Sequence, residues 1–240
     1  QEVTINHFRI VGSIALMVVL FVAYVSTSFA IKIQYVILVL IGLSLISIFT
    51  GSSDGLKKGT DLVTNPNFAV LFGIFFPAVT GFTAGVAMSG DLKNPSKSIP
   101  WGTMLAIVTG LVVYLALAFF LNASIDKDIL TTNNNVLIEF GSIAFLVIAG
   151  VWGATLSSAL GGILGGPRIL QAMSLDNIAP KIFAVGHGVN NEPRNALILT
   201  FIISELGILI GELNVIAEIV AMFYMAAYLF INISCFLEQW

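Results

Sequence analysis

Charged side chains are scarce in this chain: Asp, Glu, Lys and Arg make up 10% of its 240 residues, against about 25% in a typical soluble domain. Ten Lys and Arg against 13 Asp and Glu leave a net charge of -3, which argues against nucleic acid as a partner. No Lys/Arg cluster is long enough to read as a patch for anionic lipid headgroups. The single cysteine, Cys235, excludes an internal disulfide and a cysteine metal cluster. The two histidines, His7 and His187, lie near the ends of apolar runs and have no neighbours at ligand spacing. No nucleophile and base fall into a constellation, so neither an enzyme nor a cofactor is expected. No segment has the short apolar core and basic flank of a cleavable signal.

What the chain does contain is apolar length. Hydrophobic residues are 58% of the sequence and the mean hydropathy is +1.00, which together define an integral membrane protein. Polar breaks divide it into apolar segments at 9–31, 33–50, 68–88, 101–121, 139–164, 196–211 and 214–236. Most match the roughly 20 residues that a hydrocarbon core of about 30 Å requires. Barrel strands would be about half as long and would alternate, so the fold class is an all-α polytopic membrane bundle. The connections "IKIQ" and "GELN" are short enough to close two helical hairpins. The connection 165–195 contains "RILQAMSLDNIAPKI", predicted to form a short interfacial helix bounded by Pro180. Lys32, Lys93, Lys97, Arg168, Lys181 and Arg194 fall on one face and Arg9, Lys57, Lys58 and Lys127 on the other. That bias places 89–100 and 165–195 in the cytoplasm. Seven spans, a start at Gln1 and an end at "FLEQW" lead us to expect a piece of a longer transporter.

One span is broken in a way that a plain anchor would avoid. In "NPNFAVLFGIFFPAVTGFTAGVAMSGDLKNPSKSIP", residues 65–100, Pro77 removes a donor and deprives the carbonyl of Gly73 of its partner, while Gly81 and Gly85 weaken the helix beyond. Inside hydrocarbon, freed backbone groups cost several kcal/mol unless protein, water or a ligand satisfies them. A first half-helix ending near Thr80 would offer carbonyls of Pro77 and its neighbours to a cation. A second half-helix starting at Gly81 would offer the amides of Gly81, Phe82 and Thr83 to a small anion. The competing interpretation is structural, since Gly81 and Gly85 also spell GxxxG, a mark of close helix packing, and Pro77 can serve as a kink.

In the fifth span, "GVWGATLSSALGGILGGPRIL", Ala154, Ser157 and Ser158 stand at i, i+3 and i+4 and share a helix face. Two hydroxyls and a carbonyl suit a hard cation such as sodium; serines beside Gly161, Gly162, Gly165 and Gly166 also suit tight packing. Glu205, within the sixth span, raises a proton or ion relay, or a carboxyl protonated or paired with a backbone group. "NAS" at Asn122 matches a glycosylation acceptor on the outer face, but "NIS" at Asn232 matches it equally within a span.

At these residues the chain resembles the cation-chloride cotransporters, within the amino acid-polyamine-organocation superfamily, over essentially its whole length. "GDLKNPSKSIPWGT" is similar to a loop found across the superfamily; "FFPAVTGFTAG", "ATLSSAL", "GPRILQAMSLDNIAP" and "NNEP" together resemble the cotransporters. The resemblance implies two inverted five-helix repeats, the first helix of each broken at mid-membrane, with ions between them. Residues 1–66 would then be the last two helices of the first repeat and an outer loop, and 67–240 the complete second repeat, broken at 77–81. The chain would correspond to helices four to ten, and the opposite wall of the site would lie outside it. The resemblance further implies a potassium site at Pro77 and Thr80, a chloride site at Gly81, Phe82, Thr83 and the hydroxyl of Tyr228, and a sodium site at Ala154, Ser157 and Ser158. Phe82 is bulkier than the aliphatic residue the family leads us to expect. The serine pair resembles the sodium-coupled branches, while the potassium question turns on a third-helix tyrosine that this chain does not include. Short loops near Asp54 and Asp126 hint at a microbial homologue.

The implied activity is electroneutral symport of chloride with sodium, and in one branch potassium, by alternating access in the cell membrane. The implied partners are those ions and the lipid bilayer, with any homodimer contact made through parts outside this chain. The alternatives are an amino acid permease, its broken-helix amides holding a carboxylate, and an accessory subunit that moves nothing.

Overall fold

The computed structural model describes residues 5–25, 27–52, 67–87, 89–133, 135–188 and 191–238. Among these residues the regular structure is helical, the one exception being an isolated antiparallel bridge between His187 and Glu192. The order is α1 (Ile5–Val25), α2 (Thr27–Phe49), α3 (Phe68–Phe75), a 3-10 turn (Phe76–Val79), α4 (Ala84–Ala87), a second 3-10 turn (Ser89–Asp91), α5 (Pro95–Ser124), α6 (Lys127–Thr132) and α7 (Val136–Phe140). Then follow α8 (Ala144–Leu175), a third 3-10 turn (Lys181–Phe183), α9 (Arg194–Ile210) and α10 (Leu213–Glu238). The expected outer loop near Asp54, with Lys57 and Lys58, lies outside the described residues.

Among the described residues six segments are long and apolar enough to cross a membrane: Asn6–Tyr24, Phe29–Phe49, the broken Phe68–Ala87, Pro95–Ser124, Ala144–Leu175 and Leu213–Glu238. The protein is an all-α polytopic membrane protein. The expected span at 196–211 is α9, whose 17 residues extend about 25 Å, just short of the other six. Its end is set locally: Gly211 takes a left-handed φ of 77°, the conformation that glycine adopts at helix C-termini without a Cβ penalty. The "GELN" turn thus falls where expected.

Two expected boundaries differ. The "IKIQ" stretch is not a connection but lies inside α2, which is described from Thr27 to Phe49. Lys and Gln extend a helix readily, so their polarity does not end it. Likewise "RILQAMSL" is no separate interfacial helix but the last turns of α8, which runs 32 residues, about 48 Å. Pro167 removes one donor from α8, yet it is fully buried, and the Arg, Leu, Gln, Ala and Met that follow are strong helix formers. The helix stops at Asn177, which takes φ of 60°, not at Pro180. Ser174 then donates its hydroxyl to the Pro180 carbonyl at 2.6 Å and fixes the exit of the chain. Residues 95–100, too, are helical, as the first turns of α5.

The long α8 organises the packing. α2 runs along it, and α1, α4, α7 and α9 also touch it. One core cluster joins Leu16, Val19 and Ala23 of α1 and Ala30 of α2 to Leu160, Ile163 and Leu164 of α8. A second joins Ile48, Ile125, Ile129, Val136, Phe140 and Val147 around the short helices α6 and α7. The broken segment packs instead against α10, with α4 alone reaching α8. Large apolar side chains such as Trp101, Phe119, Phe145 and Phe223 are exposed, as suits helices whose solvent is lipid.

Candidate functional site

The break spans 76–83. α3 starts on Asn67, whose side chain accepts from the amide of Ala69, and tightens to a 3-10 turn at Phe76–Val79 with Pro77 at its start. Thr80 is extended, with φ of -92° and ψ of 178°. Gly81 then takes φ of 93°, a conformation that L side chains adopt at a cost. The chain becomes helical again at Ala84, three residues later than the expected start at Gly81, because the Gly81 carbonyl is first used to accept from the amide of Ala84. A Cβ at Gly81 or at Gly85 would meet no described atom within 4 Å. No close packing among the described residues therefore accounts for the GxxxG pair; at Gly81 the requirement is conformational.

Three of the freed backbone groups find partners among the described residues. The Pro77 carbonyl accepts both the Thr80 amide, at 3.2 Å, and the Thr80 hydroxyl, at 2.6 Å. The two oxygens assigned to a cation by resemblance are thus adjacent and already tied to each other. The Ala78 carbonyl accepts from the hydroxyl of Tyr114 on α5 at 2.8 Å. The Gly81 amide donates to the hydroxyl of Tyr228 on α10 at 3.2 Å. The amides of Phe82 and Thr83 donate to no described residue. Tyr228 is held by rings: Phe82 stacks on it with centroids 4.9 Å apart, while Tyr224 lies at 5.7 Å and the edge of Phe76 at 6.3 Å.

Below this aromatic group lies a cavity of about 1100 Å³, whose walls include Phe82, Thr83 and Tyr228 together with Arg168, Asp176 and Glu192. The four residues assigned to an anion are therefore brought together: Gly81, Phe82 and Thr83 in one turn, and Tyr228 across it. Pro77 and Thr80 adjoin them. Ala154 and Ser157 are half-buried and Ser158 exposed on α8, and no described hydrogen bond or ring contact joins them to the break. Gly165, where a Cβ would come within 3.2 Å of Ala87 on α4, lies about 10 Å further along α8 than Ser158. Ala154, Ser157 and Ser158 share a face of α8 with one another by their i, i+3, i+4 spacing.

Tyr114 escaped the sequence reading. Its signal was there: a lone phenol within "TGLVVYLALAFF", where a buried or lipid-facing hydroxyl needs a partner. Glu205 has found one as well, since Ser13 of α1 donates to its Oε1 at 2.5 Å.

A polytopic helical bundle with one span unwound at mid-length, its Ala78 carbonyl bonded to α5 and its Gly81 amide to α10, has the architecture of a secondary transporter. The amino acid permease family model matches residues 3–239. The chain belongs to that family. It is 34% identical to solute carrier family 12 member 1 of Homo sapiens over 289 aligned positions, covering 96% of this chain and 26% of the relative. It is also 34% identical to solute carrier family 12 member 2 of Mus musculus, covering 97% of this chain and 24% of the relative. The chain thus spans about a quarter of the length of these curated relatives. It is a transporter-family chain and not an enzyme.

Proposed function

We propose that the protein of which this chain forms part carries chloride together with sodium by alternating access, with ions bound at the break between α3 and α4. The observation that carries the reading is the Gly81 amide brought to the Tyr228 hydroxyl from 147 residues away. An amide and a phenol converging at an unwound helix end are two donors suited to an anion without a charged side chain. Phe82 and Thr83 add two further amides. Ala154, Ser157 and Ser158 are the sodium ligands in this reading, and their second wall comes from outside the chain. Pro77 and Thr80 serve potassium where it is carried, the Thr80 hydroxyl turning from the Pro77 carbonyl to share the cation. Cation and anion fill together because each offsets the other's charge in a medium of low dielectric. Residues 67–240 are one inverted repeat and 1–66 the end of its counterpart, in a cell-membrane protein with 89–100 and 165–195 on the cytoplasmic side.

The test is uptake of labelled sodium, rubidium and chloride by the full-length protein in liposomes. Sodium-dependent chloride uptake should disappear when Ser157 and Ser158 are both replaced by Ala; unchanged uptake would remove the sodium assignment. The family-model match favours one competing reading, an amino acid permease in which the same amides bind a carboxylate. Labelled amino acids that accumulate and are not displaced by chloride would establish that alternative.

A further inference from the structure

We propose that Phe82 is a positioning residue for anion selection: its ring, stacked on Tyr228, sets how far the Tyr228 hydroxyl stands from the Gly81 amide and so favours small halides over larger anions. The inference rests on the chloride reading of the same break. Phe82 follows Gly81 directly, so the ring that holds the phenol and the amide that the phenol meets are covalent neighbours. The stack is close to parallel, at 27° and 4.9 Å, and Phe76 and Tyr224 close the phenol in on other sides. The ring of Tyr228 is therefore constrained from three directions, and its hydroxyl reaches the amide at 3.2 Å.

At that separation amide and hydroxyl are in direct contact, so an anion bound by both must push the hydroxyl back and change it from acceptor to donor. The further it is pushed, the more ring overlap with Phe82 is lost. A small halide requires a short displacement, while iodide or nitrate requires a longer one. An aliphatic side chain at this position, the kind the cotransporter resemblance leads one to expect, has no ring face to lose and would let the phenol swing more freely. Phe82 and Tyr228 also line the large cavity, whereas Thr80 and Gly81 do not. An anion arriving from the cavity meets the stacked pair before it meets the amide.

The experiment is labelled-chloride uptake by the full-length protein in liposomes, with unlabelled chloride, bromide, iodide and nitrate as competitors. Wild-type protein should be inhibited by chloride and bromide at lower concentrations than by iodide and nitrate. Phe82→Leu should narrow the iodide-to-chloride ratio of inhibitory concentrations by about tenfold, the scale on which a pocket discriminates by size. Phe82→Tyr, which keeps a stacking ring, should retain the wild-type ratio. Tyr228→Phe, which removes the hydroxyl that larger anions must displace further, should weaken inhibition by every anion and narrow the ratio as well. A wild-type ratio in Phe82→Leu, or in Phe82→Met should the leucine variant not fold, overturns the role of Phe82 and leaves the chloride reading standing. Absence of saturable chloride uptake by the wild-type protein overturns both, so the two failures are told apart by the wild-type arm alone.

Discussion

The hydroxyl of Ser13 donates to Oε1 of Glu205 at 2.5 Å, joining α1 to α9 within the membrane-spanning part of the bundle. The helices are close here, since a Cβ on neighbouring Gly12 would come within 3.0 Å of Ile208. The other carboxyl oxygen, Oε2, is buried and has no described partner. Ser13→Ala should thus lower stability by about 1–3 kcal/mol, the cost of leaving a buried polar group unmade. The double variant Ser13→Ala/Glu205→Leu should recover much of that loss, because removing both partners is cheaper than removing one. Melting temperatures of the detergent-solubilised protein provide the comparison; equal loss in both variants would mean that the bond is not what Ser13 contributes. A carboxyl used as a tie, and not as a relay, also leads us to expect that Glu205→Gln keeps ion uptake.

A second prediction concerns how α2 lies on α8. A Cβ at Gly150 would collide with Cβ and Oγ of Ser44, so the helices meet through a bare backbone at this point. Gly150→Ala should lower stability by about 1–3 kcal/mol, the usual cost of overpacking. Ser44→Gly in the same chain should restore much of it by returning the space. By contrast, Gly161→Ala and Gly162→Ala meet no described atom within 4 Å and should be neutral or slightly stabilising as helix substitutions. A thermal-melt series on these four proteins would separate glycines that pack from glycines that merely occupy a helix.

Gly81 and Gly85 present the same contrast at the break. Gly81→Ala places a Cβ in open space but at φ of 93°, for a strain of about 1–2 kcal/mol. The backbone can relieve that strain only by turning the Gly81 amide away from Tyr228, so transport should fall along with stability. Gly85→Ala, within α4 and without positive φ, should affect neither. Equal loss of transport in both variants would point to a helix outside this chain packing on the pair, and hence to the GxxxG explanation.

The break was legible in the sequence because its chemistry is local: a proline without a donor and a glycine free to take positive φ, set in a run too apolar to tolerate either without use. The turn that holds Gly81, Phe82 and Thr83 followed from the same stretch, whereas Tyr228, whose hydroxyl meets the Gly81 amide, came from resemblance and not from spacing. Other features were hidden because tertiary packing decides them. The apolar run reads as ending at 164, with a separate helix after it, but α8 continues through the buried Pro167 to Leu175. "IKIQ" reads as a connection because it is polar, yet polarity does not stop a helix when the residues are good helix formers. Ala154, Ser157 and Ser158 were legible as one face of α8, but nothing in their spacing told what that face meets.

Tyr114 is where a single hydroxyl should matter more than its ring. It donates to the Ala78 carbonyl at 2.8 Å, and its ring meets Phe75 edge-on with centroids 5.7 Å apart. Tyr114→Phe keeps the ring contact and removes only the donor, leaving a carbonyl of the 3-10 turn without its partner in a setting where water is scarce. The expected loss is about 1–3 kcal/mol, the cost of an acceptor left unsatisfied where no water replaces the donor. Tyr114→Leu removes donor and ring together and should cost more, by about 0.5–1.5 kcal/mol for the aromatic pair. The two variants should also differ in function: if the hydroxyl holds the turn in place for the ions bound beside it, Tyr114→Phe should already weaken apparent cation affinity, and Tyr114→Leu should add little to that effect. Cation affinity unchanged in Tyr114→Phe, but reduced in Tyr114→Leu, would assign the support of the break to the ring and not to the hydrogen bond.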